Sequence, residues 1–128
     1  MLYLGFDKSL FISMLEKYYD MNKKDKFQEL FGDLYIGKKP SKEKNSFLVW
    51  KISFTGVDAG HGKEELRKSF NFKVSSAARE FLYKYGDLLG ENKLSMENMS
   101  AEMVVAHIGM LSKINNKKVF VLIDEYVL

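Results

Sequence analysis

The stretch Lys118-Val119-Phe120-Val121-Leu122-Ile123-Asp124-Glu125-Tyr126 decides the fold class of this 128-residue chain. It holds five consecutive apolar residues, three of them β-branched, and such an unbroken run predicts a strand buried on both faces of a parallel sheet. Asp124 and Glu125 follow at the carboxyl end of that strand, where open α/β sheets bind their ligands. Because the pattern is short, it fits two interpretations about equally well, a nucleotide site or a solvated acidic turn.

The composition of the chain is that of one ordinary globular domain. Hydrophobic residues make up 46% and charged residues 29%, which is enough for a core and normal for a globular protein. The absence of cysteine excludes disulfides and thiolate metal sites, and His61 and His107 lack the i, i+4 partner of a helical zinc site. The chain has neither the roughly 18 apolar residues of a membrane span nor a signal-peptide pattern, so we expect a cytoplasmic protein without membrane contact.

The net charge of +3 comes from lysines and arginines spread along the whole chain. Their densest cluster, Lys38, Lys39, Lys42 and Lys44, surrounds the only proline, Pro40. Such clusters are common on plain surfaces, so a solvated loop is favoured over a phosphate-binding patch. The mild charge and the lack of a recognition motif also make nucleic acid an unlikely partner.

Apolar periodicity along the chain alternates between helical and strand patterns. A Met-rich stripe on the last predicted helix, with His107 on it, is expected to lie in the core. The segment 71–76 is a weak helix former and a candidate break in the preceding helix. Helices are predicted from an N-cap at Asp7 to about residue 20, as short turns within 27–35, and over 63–85 and 95–114. Strands are predicted over 47–54 and 118–124. Strands separated by helices imply parallel pairing and an α/β fold.

Four blocks of the sequence together resemble the bacterial AAA-ATPase-like family. They occur in that family's order and spacing, so the similarity covers nearly the whole chain. They are Phe6-Asp7-Lys8-Ser9 and the helix that follows to Asp20, Phe31-Gly32-Asp33-Leu34-Tyr35-Ile36, Ile52-Ser53-Phe54-Thr55-Gly56-Val57-Asp58, and the Walker B-like Val121-Leu122-Ile123-Asp124-Glu125-Tyr126.

The resemblance implies a partial P-loop NTPase-like core of three layers. Its short parallel sheet would contain the strands near 47–54 and 118–124 and a stub at 1–5, flanked by helices. Residues 1–128 would then form a single truncated domain, because the chain ends three residues after Glu125 and leaves no sequence for the later strands of a full ATPase core. Family members often carry a further nuclease-like domain of the PD-D/E-XK type, and we expect residues 1–128 to lack it.

The resemblance also implies a site for ATP and Mg²⁺. In the intact motif the residues matching Lys8 and Ser9 contact the phosphates, and the Ser9 hydroxyl ligates Mg²⁺. Asp124 would complete the metal site, and Glu125 would act as the catalytic residue that positions the attacking water.

The phosphate-binding loop departs from the family's Gly-Lys-Ser pattern at two places. Asp7 stands where a glycine is expected before Lys8, and Leu2 stands at the earlier glycine position. A carboxylate about 4 Å from a phosphate costs on the order of 4 kcal/mol at an effective dielectric constant of 20, or roughly three powers of ten in affinity. We therefore expect impaired ATP binding. The alternative is a non-catalytic remnant that self-associates or is completed by a protein partner.

Overall fold

The computed structural model describes residues 8–57, 59–90 and 99–124. The chain divides into two compact units, a first unit at Met1–Leu48 and a second unit at Val49–Leu128. The helices are α1 (Lys8–Tyr19), α2 (Phe27–Phe31), α3 (Tyr35–Lys38), α4 (Lys63–Leu89) and α5 (Ala101–Ile114), and the strands are β1 (Leu48–Ser53) and β2 (Val119–Asp124). Short 3₁₀ helices at Met21–Lys26 and Ala59–His61 precede α2 and α4.

An aromatic cluster forms the core of the first unit. Tyr18 at the end of α1 packs against both buried rings of α2, Phe27 and Phe31, and meets Phe31 edge to face with centroids 5.6 Å apart. Lys44 places its ammonium group 4.2 Å from the centroid of the Phe27 ring, a cation–π contact. Of the lysine cluster around Pro40, Lys38 ends α3, whereas Lys39, Lys42 and Lys44 lie in the predicted loop.

The turn after α1 is held by two buried polar residues. Asp20, which is 1% exposed, caps the 3₁₀ helix by accepting a hydrogen bond from the N–H of Asn22 at 2.9 Å. Asn45 donates from its side chain to the carbonyl oxygens of Lys17 and Asp20 at 3.3 and 2.9 Å. These bonds fasten the chain before β1 to the end of α1.

The second unit is built on a two-stranded sheet among the described residues, with order β1-β2. The N–H of Phe54, just after β1, donates to the carbonyl oxygen of Asp124, the last residue of β2, at 3.1 Å. The carboxyl ends of the two strands are therefore neighbours, and the strands are parallel. The predicted α/β class and both predicted strands are confirmed, while the stub at 1–5 lies outside the described residues.

Helix α4 packs on the sheet, and hydrogen bonds join it to both ends of α5. The rings of Trp50 on β1 and Phe81 on α4 lie 5.7 Å apart. The side chain of Asn71 accepts from the N–H of Ala101 at 3.1 Å, and the side chain of Asn115 donates to the carbonyl of Leu89 at 3.0 Å. The sheet and the two helices thus share one core.

The predicted break at 71–76, within α4, is wrong. Helix α4 continues unbroken for 27 residues and ends at Gly90, whose φ of 75° provides a left-handed C-cap. Within the weak segment, Val74 is only 3% exposed. Packing of this residue offsets the poor helix propensity of the polar residues around it.

The predicted start of the last helix and the position of its methionines are also wrong. Met99 and Ser100 are not helical, and α5 begins at Ala101, where the Ser100 hydroxyl accepts from the N–H of Met103. Residues 95–98 lie outside the described part of the chain. Met103 and Met110 are 53% and 50% exposed, because the buried stripe of α5 consists of Ala101, Val104, Ile108, Leu111 and Ser112. His107 beside that stripe is partly buried.

Strand β2 is buried on one face only, contrary to the prediction from its apolar run. Leu122 is 7% exposed, whereas Val121 and Ile123 are each 48% exposed. A run of apolar residues cannot by itself distinguish a fully covered strand from one with a half-covered face.

Across the described residues, none of the helices has the length and apolar character that crossing a bilayer requires.

Candidate nucleotide site

Asp124, which the sequence predicts as a metal ligand, is the last residue of β2. It is partly buried and ends β2, next to the point where the chain leaves β1. The hydrogen bond from the Phe54 N–H to its backbone carbonyl fixes its main chain at the carboxyl edge of the sheet. Ligands of open parallel sheets bind at this edge. Glu125, the predicted catalytic residue, lies outside the described residues.

Lys8 and Ser9 are the first two residues of α1 in the first unit, and both are exposed. The first turn of a helix presents backbone N–H groups that have no partner within the helix, and it carries the positive end of the helix dipole. Anionic groups bind readily at such a position. Asp7, the residue that departs from the motif, is outside the described residues.

The predicted set therefore falls in two parts of the chain. Lys8 and Ser9 are brought together on one helical turn of the first unit, and Asp124 stands at the sheet edge of the second. In the described ranges, no group of three or more His, Asp or Glu side chains could hold a metal ion.

The chain that follows β1 forms a tight turn at the same edge. The hydroxyls of Ser53 and Thr55 are hydrogen-bonded at 2.9 Å, and the N–H of Val57 donates to the carbonyl of Phe54 at 3.1 Å. Gly56 takes a φ of 86°, which a residue with a Cβ rarely adopts. This turn leads the chain away from the sheet before α4 begins.

A cavity of about 710 Å³ opens beside this turn, and sequence reasoning missed it. Its lining includes Phe54 after β1, Lys63 and Arg67 on the first turns of α4, and Ser100 before α5. The one available signal was the i, i+4 spacing of Lys63 and Arg67, which places both cations on one side of a helix. That spacing occurs on many solvated helices and does not indicate a site by itself.

A family model described as a predicted AAA-ATPase matches residues 5–127. The chain belongs to the AAA-ATPase-like family. Comparisons with curated proteins and with solved structures found no match. The match includes the start of α1 and the end of β2, so both parts of the predicted site lie inside the AAA-ATPase-like region. The resemblance on the four sequence blocks is confirmed at the level of the family.

Proposed function

We propose that this AAA-ATPase-like domain binds ATP together with Mg²⁺ through a weakened P-loop. The observation that carries the proposal is the position of Asp124 at the carboxyl edge of a parallel strand pair, within a family match that also includes Lys8 and Ser9. An ammonium group, a hydroxyl and a carboxylate are the groups that such sites use for phosphate and for a hard cation. The donor set therefore fits Mg-ATP.

Each residue has one role in this proposal. The Lys8 ammonium pairs with the phosphates, the Ser9 hydroxyl and the Asp124 carboxylate hold the cation, and Glu125 orients the attacking water. Bound Mg²⁺ supplies neutralisation of the phosphate charge. Asp7 places a like charge in the loop, so we propose that affinity is low and that hydrolysis is slow or lost.

The test is thermal unfolding of the chain with and without millimolar Mg-ATP. A ligand at about a hundred times its Kd adds roughly 2.7 kcal/mol to the free energy of unfolding. We expect an upward shift in Tm that Lys8→Ala removes and that Lys17→Ala, an exposed lysine at the other end of α1, retains. Equal shifts in the native chain and in Lys8→Ala, or none in either, would overturn the proposal.

Self-association is the second candidate function, and the half-exposed apolar residues Val121 and Ile123 favour it. Apolar side chains exposed beside one another on a sheet are a common site of protein contact. This function predicts a dimer or larger species in sedimentation at micromolar concentration, and Val121→Ser with Ile123→Ser should return it to a monomer. A native chain that sediments as a monomer at that concentration would contradict it.

A further inference from the structure

Two adjoining cavities lie in the second unit, beside the carboxyl edge of the sheet. The basic cavity, of about 710 Å³, contains Lys63 and Arg67, and the apolar groove, of about 680 Å³, contains Trp50. Both are lined by the same four residues, Phe54, Phe70, Ala101 and Glu102, so they form one continuous depression. Each volume is within the range of about 300–1,000 Å³ that small-molecule sites occupy.

The basic cavity combines positive charge with an aromatic surface. Lys63 and Arg67 are exposed at its rim, and Glu102 is the one carboxylate among the described residues of its lining. The rings of Phe54 and Phe70 stack with centroids 4.9 Å apart and an interplanar angle of 7°. This end of the depression therefore suits an anionic group held next to an apolar one.

The apolar groove lies between the sheet and the two long helices. The side chains that line it come from both strands and from α4 and α5. The lining side chains that are about half exposed would be removed from water when a ligand binds. Val105 is 49% exposed, and Val121 and Ile123 are each 48% exposed. The groove is lined by Trp50, Ile52, Val74, Val105, Val121 and Ile123 among others.

Trp50 lies in the lining of the groove. Its side chain lines the groove and is 2% exposed, and its indole N–H has no hydrogen-bond acceptor among the residues described. Buried donors in folded proteins are nearly always hydrogen-bonded. The indole nitrogen is itself buried, so a ligand in the groove would be sensed by the ring and would not replace the missing acceptor.

We propose that this depression binds an amphipathic organic anion. The anionic group lies at Lys63 and Arg67, and the apolar body follows the groove toward Val121 and Ile123. The site uses none of the residues assigned to ATP, although the Phe54 N–H bonds to the carbonyl of Asp124. Its ligand is a small acid, because the pocket has the size and the few placed polar groups of a small-molecule site.

The experiment is an NMR titration of the ¹⁵N-labelled full chain with N-octanoylglycine, which has a carboxylate, an amide oxygen and an aliphatic chain. Trp50 is the only tryptophan, so its indole signal is unique in the spectrum. We expect a saturable shift of that signal and of the amides of Phe70, Val105 and Ile123. The matched neutral probe, N-octanoylglycinamide, should bind at least about tenfold more weakly, because a hydrogen bond to a charged group contributes more than a neutral one.

Variants of exposed residues assign the two ends of the ligand. Lys63→Ala with Arg67→Ala should weaken the acid about tenfold or more and leave the neutral amide unchanged, and Val105→Asp should weaken both probes. Lys68→Ala is the matched control and should bind like the native chain. The Lys68 ammonium lies 3.8 Å from the carboxylate of Glu65, and Lys68 is not part of the cavity lining. Lys8→Ala should also bind normally, which separates this site from the ATP proposal.

Three results would overturn the inference. The first is an indole signal of Trp50 that N-octanoylglycine does not move. The second is equal affinity for the acid and the neutral amide. The third is an unchanged affinity in the Lys63 and Arg67 double variant whose spectrum is otherwise native.

Discussion

The hydroxyl oxygen of Tyr85 accepts a hydrogen bond of 3.1 Å from the backbone N–H of Val49. The N–H of Phe54 points toward β2, and backbone groups alternate along a strand, so the N–H of Val49 points away from β2. The N–H of Val49 therefore lies on the edge of β1 opposite β2, where the described sheet has no neighbouring strand. A side chain of α4 thus satisfies a strand donor and fixes the helix on the sheet.

Tyr85→Phe should destabilise the second unit by about 1–3 kcal/mol, because it leaves the buried N–H of Val49 without an acceptor. Tyr85 is 0% exposed, so water cannot replace the hydroxyl without local opening. The measurement is urea unfolding followed by Trp50 fluorescence. Tyr83→Phe, at a position 91% exposed on the same helix, is the control and should leave the midpoint unchanged.

Asn45→Ala should lower the free energy of unfolding by about 2–4 kcal/mol, since it removes two hydrogen bonds and leaves alanine at a φ of 51°. Asn116 has a similar φ of 55° but is exposed. Asn116→Ala should therefore cost only the backbone term, about 1–2 kcal/mol. Denaturation followed by circular dichroism compares the two, and equal losses would show that the Asn45 side-chain bonds contribute nothing.

Two glycines should respond to alanine with opposite signs. At Gly37 a Cβ would overlap the backbone carbonyl of Phe31, so Gly37→Ala should destabilise the first unit by about 1–3 kcal/mol. At Gly109, inside α5, a Cβ would meet no other atom within 4 Å. Gly109→Ala should raise stability by about 0.5–1 kcal/mol through helix propensity. Thermal unfolding of both variants checks the signs.

Asp124→Asn should remove the Mg²⁺-dependent part of any Tm increase produced by ATP, because the neutral amide is a weaker ligand for a hard cation. Asp33→Asn, an exposed carboxylate between α2 and α3, serves as the matched control. The comparison is made with ATP in magnesium and in excess chelator. A Mg²⁺-dependent increase that survives in Asp124→Asn would remove this residue from the proposed metal site.

The long helices show how far periodicity predicts and where it fails. Helix α4 follows the apolar spacing of its sequence, but the burial of Val74 decides that it continues through a weak segment. On α5 the same spacing fits two overlapping stripes. The one with Val104 and Ile108 faces the core, and the one with Met103 and Met110 faces solvent. Contact with α4 makes that choice, and it depends on residues that are distant in sequence.

The sequence by itself determined the α/β class, both strands, the family and the order in which Lys8, Ser9 and Asp124 occur, because local patterns and motif spacing carry these features. Only the tertiary structure decided which face of β2 is covered, and it alone joined Lys63 and Arg67 to the groove that Trp50 lines. Those properties depend on how α4 and α5 pack on the sheet. Packing brings together residues of separate elements, such as Phe54 and Asp124 or Asn71 and Ala101, and no local pattern records such pairs.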